Sequence, residues 1–153
     1  MDAATRETVS EQETLRELID RETISDLIHR LGAVLDDQRF DDLALVFAED
    51  ASITTPGGHE EGLDAIVAQA ARNHTPELRT QHLATDLVID LDGDRARARA
   101  NYVGVFAVGS GDPAPAPRFQ IGSVYRFDLV RTADGWRVHS MEMLPTWASG
   151  ERP

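Results

Sequence analysis

The chain contains no cysteine, no lysine and no long apolar run. Each absence excludes something. Without cysteine there can be no disulfide, no thiolate nucleophile and no Cys-type zinc site, and nothing points to an oxidising compartment. The apolar stretches fall far short of the ~20 residues that a membrane-spanning helix needs. Met1 to Gln12 are polar and acidic, without the apolar core of a signal peptide, so the expected location is cytoplasmic. The 15 basic residues are all arginine, a reflection of base composition rather than function, and 27 acidic residues bring the formal net charge to −12. So acidic a chain lacks the basic footprint that nucleic acid or an anionic membrane requires, and neither is an expected partner. His-x-His, His-Glu-x-x-His and tight carboxylate clusters are also missing, so no metal site is expected.

What is present fits one domain. At 153 residues the chain can bury roughly 70% of the surface it exposes when unfolded and needs no covalent staple. The expected division is a flexible tail over residues 1–10, one domain over 11–147 and a C-terminal tail over 148–153. From Glu11 to Leu35 apolar residues recur at three- and four-residue spacing, which predicts a helix, with Ser10 and Glu13 as its capping box. Asp36 to Phe40 interrupts the pattern. A second, short helix is expected from Asp42 to Ala48 with Asp41 as N-cap, then a strand over Ala51 to Thr55 and a Pro56-Gly57-Gly58 turn. Glu60-Glu61 reads as a solvated turn. A third helix covers Gly62 to Asn73, with Leu63, Ile66 and Val67 inward.

The second half changes character. Four long strands are expected, near Arg79–Asp90, Arg95–Val108, Arg118–Arg131 and Trp136–Leu144. Asp92-Gly93 and Asp134-Gly135 mark hairpins between the first pair and the last pair, and Gly109 to Pro117 forms a longer loop. The product is an antiparallel meander. In the second strand Arg95, Arg97, Arg99 and Asn101 alternate with Ala96, Ala98, Ala100, Tyr102, Gly104 and Phe106. The small residues leave room for helices to pack on that face. Strands this long must coil, so the fold class is α+β: N-terminal helices on a strongly curved antiparallel sheet, leaving an internal pocket where the packing runs out.

This order of elements resembles the cone fold of the nuclear transport factor 2-like superfamily. Leu35-Asp36-Asp37-Gln38-Arg39-Phe40-Asp41-Asp42-Leu43 and Phe47-Ala48-Glu49-Asp50-Ala51 resemble its SnoaL-like family, as do the hairpins at Asp90–Asp94 and Asp134–Arg137. The resemblance covers about Glu13 to Trp147. Within the superfamily, Pro76-Glu77-Leu78-Arg79-Thr80-Gln81-His82 is similar to the stretch of scytalone dehydratase that ends in its catalytic histidine. Asp36 falls where that family keeps the aspartate that hydrogen-bonds the histidine. The resemblance therefore implies His82 as general base and acid and Asp36 as its orienter. A carboxylate at a helix C-terminus costs about 0.3–1 kcal/mol, so a partner for Asp36 would account for its position.

The chain also departs from its relatives. Leu35 stands where scytalone dehydratase has a tyrosine, Phe106 where it has a second histidine, and Ile53 or Thr54 where it has another tyrosine. Ketosteroid isomerase keeps its aspartate where this chain has Thr55. The Arg-x-Asp of the epoxide hydrolases has as its nearest match Arg99-Ala100-Asn101.

The pocket is expected to be lined by Tyr102, Phe106, Tyr125, Met141 and Trp147, mainly apolar, with the two tyrosine hydroxyls available to a ligand carbonyl. The expected function is cofactor-free acid/base chemistry on a small, apolar, oxygenated metabolite: dehydration, isomerisation or cyclisation. The alternative is a non-catalytic binding module of the same fold. The family's habits imply a homodimer or homotrimer.

Overall fold

The structure, a computed structural model, describes residues 10–153; apart from Ser10, the expected N-terminal tail lies outside them. Helix α1 runs from Glu11 to Asp36. Its capping box forms as the sequence indicates: Glu13 N–H donates to Ser10 Oγ at 3.2 Å, and Ser10 N–H donates to Glu13 Oε2 at 2.9 Å. Ile24, Leu27, Ile28, Leu31 and Val34 are buried, while Leu15, Leu18 and Ile19 stay exposed.

The second helix is a correction. It is a 3-10 turn over Phe40–Leu45, preceded by Arg39 rather than capped by Asp41. The chain leaves it early because Phe47 enters the sheet beside Val138, and that long-range pairing overrides local helical preference. Strand β1 accordingly spans Phe47–Thr55. Glu60 and Glu61 are not a free turn either. They belong to a short edge strand, β2 (Gly58–Glu61), antiparallel to β1. Helix α2 follows at Leu63–Asn73, entered through Gly62 at φ +87°, with Ile66 and Ala70 buried.

Strands β3 (Leu78–Asp92), β4 (Arg95–Val108), β5 (Pro117–Thr132) and β6 (Gly135–Gly150) form the expected meander. The six-stranded sheet has the order β2-β1-β6-β5-β4-β3, antiparallel except where β1 runs parallel to β6. The helices pack against this curled, unclosed sheet, so the fold is α+β. On β4 the arginines at 95, 97 and 99 are exposed and the alanines between them buried. On β3 an extra residue between Thr85 and Val88, with Asp86 at φ +50°, forms a bulge. The bulge keeps the core face in phase, with Ala84 before it and Leu87, Ile89 and Leu91 after it packing inward. Strand β6 continues to Gly150, beyond the expected domain end at 147, because Ala148, Ser149 and Gly150 pair with Ile121, Gln120 and Phe119.

A polar network ties α1 to the hairpin ends. Asp20, 8% exposed, accepts two hydrogen bonds from the Arg131 guanidinium (2.9 and 2.7 Å) and one from Trp136 Nε1 (2.9 Å). Arg131 also donates to Asp94 at 2.8 Å and lies 4.5 Å from the Trp136 ring centre. The hydrogen bonds from Arg131, opposed by burial, hold the Asp20 carboxyl below its usual range. Arg131→Ala leaves Asp20 buried with one neutral donor. Urea denaturation should show a loss of about 2–3 kcal/mol, somewhat below the value for breaking a fully buried pair; an unchanged midpoint would remove this network as an anchor of the fold.

Candidate active site

Three features bring α1 and β3 together at the far end of the helix. Gly32 faces β3, where a Cβ would meet His82 Cβ at 3.1 Å and the His82 carbonyl oxygen at 3.2 Å. A glycine inside a helix costs roughly 1 kcal/mol against alanine, and here it permits close approach. Beyond the helix end, Gln38 adopts φ +54° and its Nε2 donates to the Thr75 and Leu78 carbonyls at 3.0 and 3.2 Å, fixing the start of β3. Asp36, the last helical residue, then reaches across to the strand.

The Asp36 carboxylate accepts three hydrogen bonds from β3. His82 Nδ1 donates to Oδ1 at 2.6 Å, Thr80 Oγ1 donates to Oδ1 at 2.9 Å, and the His82 backbone N–H donates to Oδ2 at 2.9 Å. The His82 side chain is 6% exposed and that of Asp36 22%. Burial opposes ionisation of Asp36, but the hydrogen bonds from the His82 ring and backbone, its charge and Thr80 outweigh it, and the carboxyl lies below its usual range. With a carboxylate as partner, Nδ1 carries the ring proton, and Nε2 is left as a lone pair.

His82 lines a cavity of about 270 Å³ between the concave sheet and the helices. Tyr102, Phe106, Tyr125 and Met141 line it too. The Phe106 ring meets the His82 ring edge-on, with centroids 5.9 Å apart. Tyr102 and Tyr125 stack at 4.1 Å. Their hydroxyls differ from the expectation that both serve a ligand. Tyr102 donates to the Ile28 carbonyl of α1 and is a staple between helix and sheet. The Tyr125 hydroxyl has no protein partner among the described residues; burial, against the pull of Arg152, pushes it up to about 12, so it stays a donor at neutral pH.

Trp147 is corrected: it does not line the cavity. An extra residue on β6 between Pro145, which pairs with Ser123, and Trp147, which pairs with Gly122, forms a bulge. The bulge breaks the alternation and turns the indole onto Gly122, where Nε1 occupies the space of a Cβ; Trp147 is 46% exposed.

The lining also includes residues the sequence analysis did not place there, among them His74, Ser123 and Arg152. His74 ends α2 with Nδ1 bonded to the Ala70 carbonyl at 2.9 Å, and burial holds its ring below the usual histidine range. Its ring centroid is 5.7 Å from that of His82. His74 Nε2 and Ser123 Oγ are buried without partners. The inward alternation of Ile121, Ser123 and Tyr125 is a signal that could have found Ser123. His29, His59 and His139 lie elsewhere, beside Ser25, Thr54 and Asp50 respectively. Among the described residues no group of histidines and carboxylates could hold a metal ion, and no helix is long and apolar enough to cross a membrane.

Comparison with known families agrees with this architecture. The model of the SnoaL-like domain matches residues 16–142. The chain belongs to the SnoaL-like family. Similar solved structures include the Kfla4162 protein from Kribbella flavida (25% identity, TM-score 0.77, 87% of this chain and 95% of that one). A protein named a putative scytalone dehydratase from Novosphingobium aromaticivorans has 19% identity and a TM-score of 0.79, over 92% of this chain and 93% of that one. A hexachlorocyclohexane dehydrochlorinase has 19% identity and a TM-score of 0.78, over 90% and 93%. No curated protein matches.

Two outcomes follow for this SnoaL-like site. Gly32→Val should force α1 away from β3 and lengthen the Asp36–His82 contact; a crystal structure of the variant with that contact still at 2.6 Å would contradict the role given to Gly32. The second concerns pH. Because Asp36 has a depressed folded pKa, its contribution to stability is present above the unfolded carboxylate value near ~3.9 and is lost as pH falls through the folded value. Acid unfolding of Asp36→Asn should therefore be less steep than that of the parent below about pH 4, as followed by circular dichroism.

Proposed function

We propose that this SnoaL-like protein is a cofactor-independent enzyme that removes a proton next to a carbonyl in a small, apolar, oxygenated molecule, with His82 as the base. The observation that carries this reading is the Asp36–His82 contact at the cavity wall, 2.6 Å between Oδ1 and Nδ1. A simple container has no need to fix an imidazole tautomer with a half-buried carboxylate.

The chemistry follows from the geometry. Nε2 takes a proton from carbon, and the C–H electron pair becomes a double bond. Asp36 stabilises the imidazolium as it forms. The Tyr125 hydroxyl is the group available to donate to the carbonyl oxygen, where charge develops. If an adjacent carbon carries a hydroxyl, its C–O bond breaks and the imidazolium returns the proton to that oxygen, releasing water. If instead the molecule has a double bond between the β and γ carbons, the imidazolium returns the proton to the γ carbon of the dienolate, and the double bond moves into conjugation with the carbonyl. The names of two structural neighbours, a dehydratase and a dehydrochlorinase, both denote eliminations, which supports the first outcome. A homodimer or homotrimer is part of this proposal.

A carbon acid tests the proposal without the natural substrate. The protein should accelerate deuterium uptake by 2-tetralone in D2O, measured by NMR. His82→Ala should slow that exchange by about 10²- to 10⁴-fold, the usual contribution of a general base, and Asp36→Asn should slow it too. Exchange at the parent rate in His82→Ala would defeat the reading.

A further inference from the structure

We infer that Arg152 is an anion-binding residue at the cavity, so that the ligand joins an apolar body to one anionic oxygen group, such as a carboxylate. This deepens the reading of the site above and rests on it for the identity of the reacting end.

Arg152 is the one arginine, lysine, aspartate or glutamate among the residues lining the cavity. The rest of the lining is apolar or neutral polar, with two histidines. In a chain of formal charge −12 the long-range field repels anions, so a lone guanidinium against an apolar wall is a local reversal of sign. It has no carboxylate partner among the described residues, whereas Arg72 has one and Arg39 and Arg131 have two each. Its charge reaches into the cavity, opposing the upward shift of Tyr125 and lowering the basicity of His74.

The backbone holds Arg152 there. Strand β6 pairs with β5 as far as Gly150 opposite Phe119. Gly150 then takes φ +82° against β5, and a Cβ at this position would lie 2.0 Å from the Arg118 carbonyl oxygen. Only glycine combines that conformation with that approach. One residue on, Glu151 N–H donates to the same Arg118 carbonyl at 3.2 Å. The turn at Gly150 and the bond at Glu151 deliver the next side chain, Arg152, to the cavity. Arg152 itself is exposed, at the cavity mouth, and its guanidinium matches the planar, two-oxygen geometry of a carboxylate.

The test uses two probes of nearly equal shape, 2-naphthoate and 2-naphthamide, and reads their affinities by calorimetry on the full chain. The parent should bind the naphthoate about 5- to 10-fold more tightly at low salt, and the preference should shrink as salt is raised. Arg152→Gln should abolish the preference while leaving naphthamide binding intact, and Gly150→Ala should do the same by misplacing the side chain. Arg118→Gln removes a neighbouring arginine that does not line the cavity and should keep the preference. Equal affinities in the parent, no binding of either probe, or a preference that survives Arg152→Gln would overturn the inference. His82→Ala should keep the preference while losing 2-tetralone exchange, so failure of the base and failure of the anion site are read separately.

Discussion

Asp36 stands at the negative end of α1, where the helix dipole disfavours a carboxylate by about 0.3–1 kcal/mol, and three hydrogen bonds from β3 hold it there. Much of the arrangement around the cavity depends on this contact. It fixes the angle at which the helix meets the edge strand, and it satisfies the backbone N–H of His82. It also sets which ring nitrogen carries a proton. Gly32 allows the approach and Gln38 locks the chain just beyond it. The same contact thus packs helix against strand and orients the imidazole.

The helix is fastened in its N-terminal half and at its C-terminal end by carboxylates with different tasks. Asp20 meets a guanidinium and an indole N–H, a pairing suited to joining α1 to the hairpin ends. Asp36 meets an imidazole, a group that can exchange its proton near neutral pH. Between and beyond them the small side chains of β4 let α1 lie close, and the larger Tyr102 and Phe106 lie further along the same face, where the packing opens into the cavity. Tyr102 commits its hydroxyl to the helix backbone, which leaves Tyr125, Ser123 and His74 among the neutral polar points of the interior, with Thr55, Gln69 and Asn73.

Features governed by local pattern were legible in the sequence. The capping box at Ser10, the Asp-Gly hairpins and the alternation along β4 involve neighbours in the chain, and each appears where its pattern lies. Features governed by pairing across the chain were not. Strand β2 and the parallel register of β1 with β6 have no local signature, and recruitment of Phe47 into the sheet shortened the helix before it. Two bulges had opposite consequences: the one at Asp86 kept β3 in phase, while the one before Trp147 sent an expected pocket residue onto Gly122. Asp36 is the instructive case. Helical periodicity puts it on the polar side of α1; the dipole cost of a carboxylate at a helix end called for a partner, and its place in a family motif suggested one on a distant strand. Arg152 was hidden for the reverse reason, since a Ser-Gly-Glu-Arg-Pro ending reads as tail until β5 pairs with it.

The central claim is that Asp36 keeps the proton of neutral His82 on Nδ1 and leaves Nε2 as a base toward the cavity. Nitrogen-15 NMR of the histidine side chains measures this directly at neutral pH. The account predicts a His82 Nδ1 with a directly bonded, slowly exchanging proton and an Nε2 with none, a state lost in Asp36→Asn. A proton resident on Nε2, or rapid averaging between the two nitrogens that Asp36→Asn leaves unchanged, would contradict it.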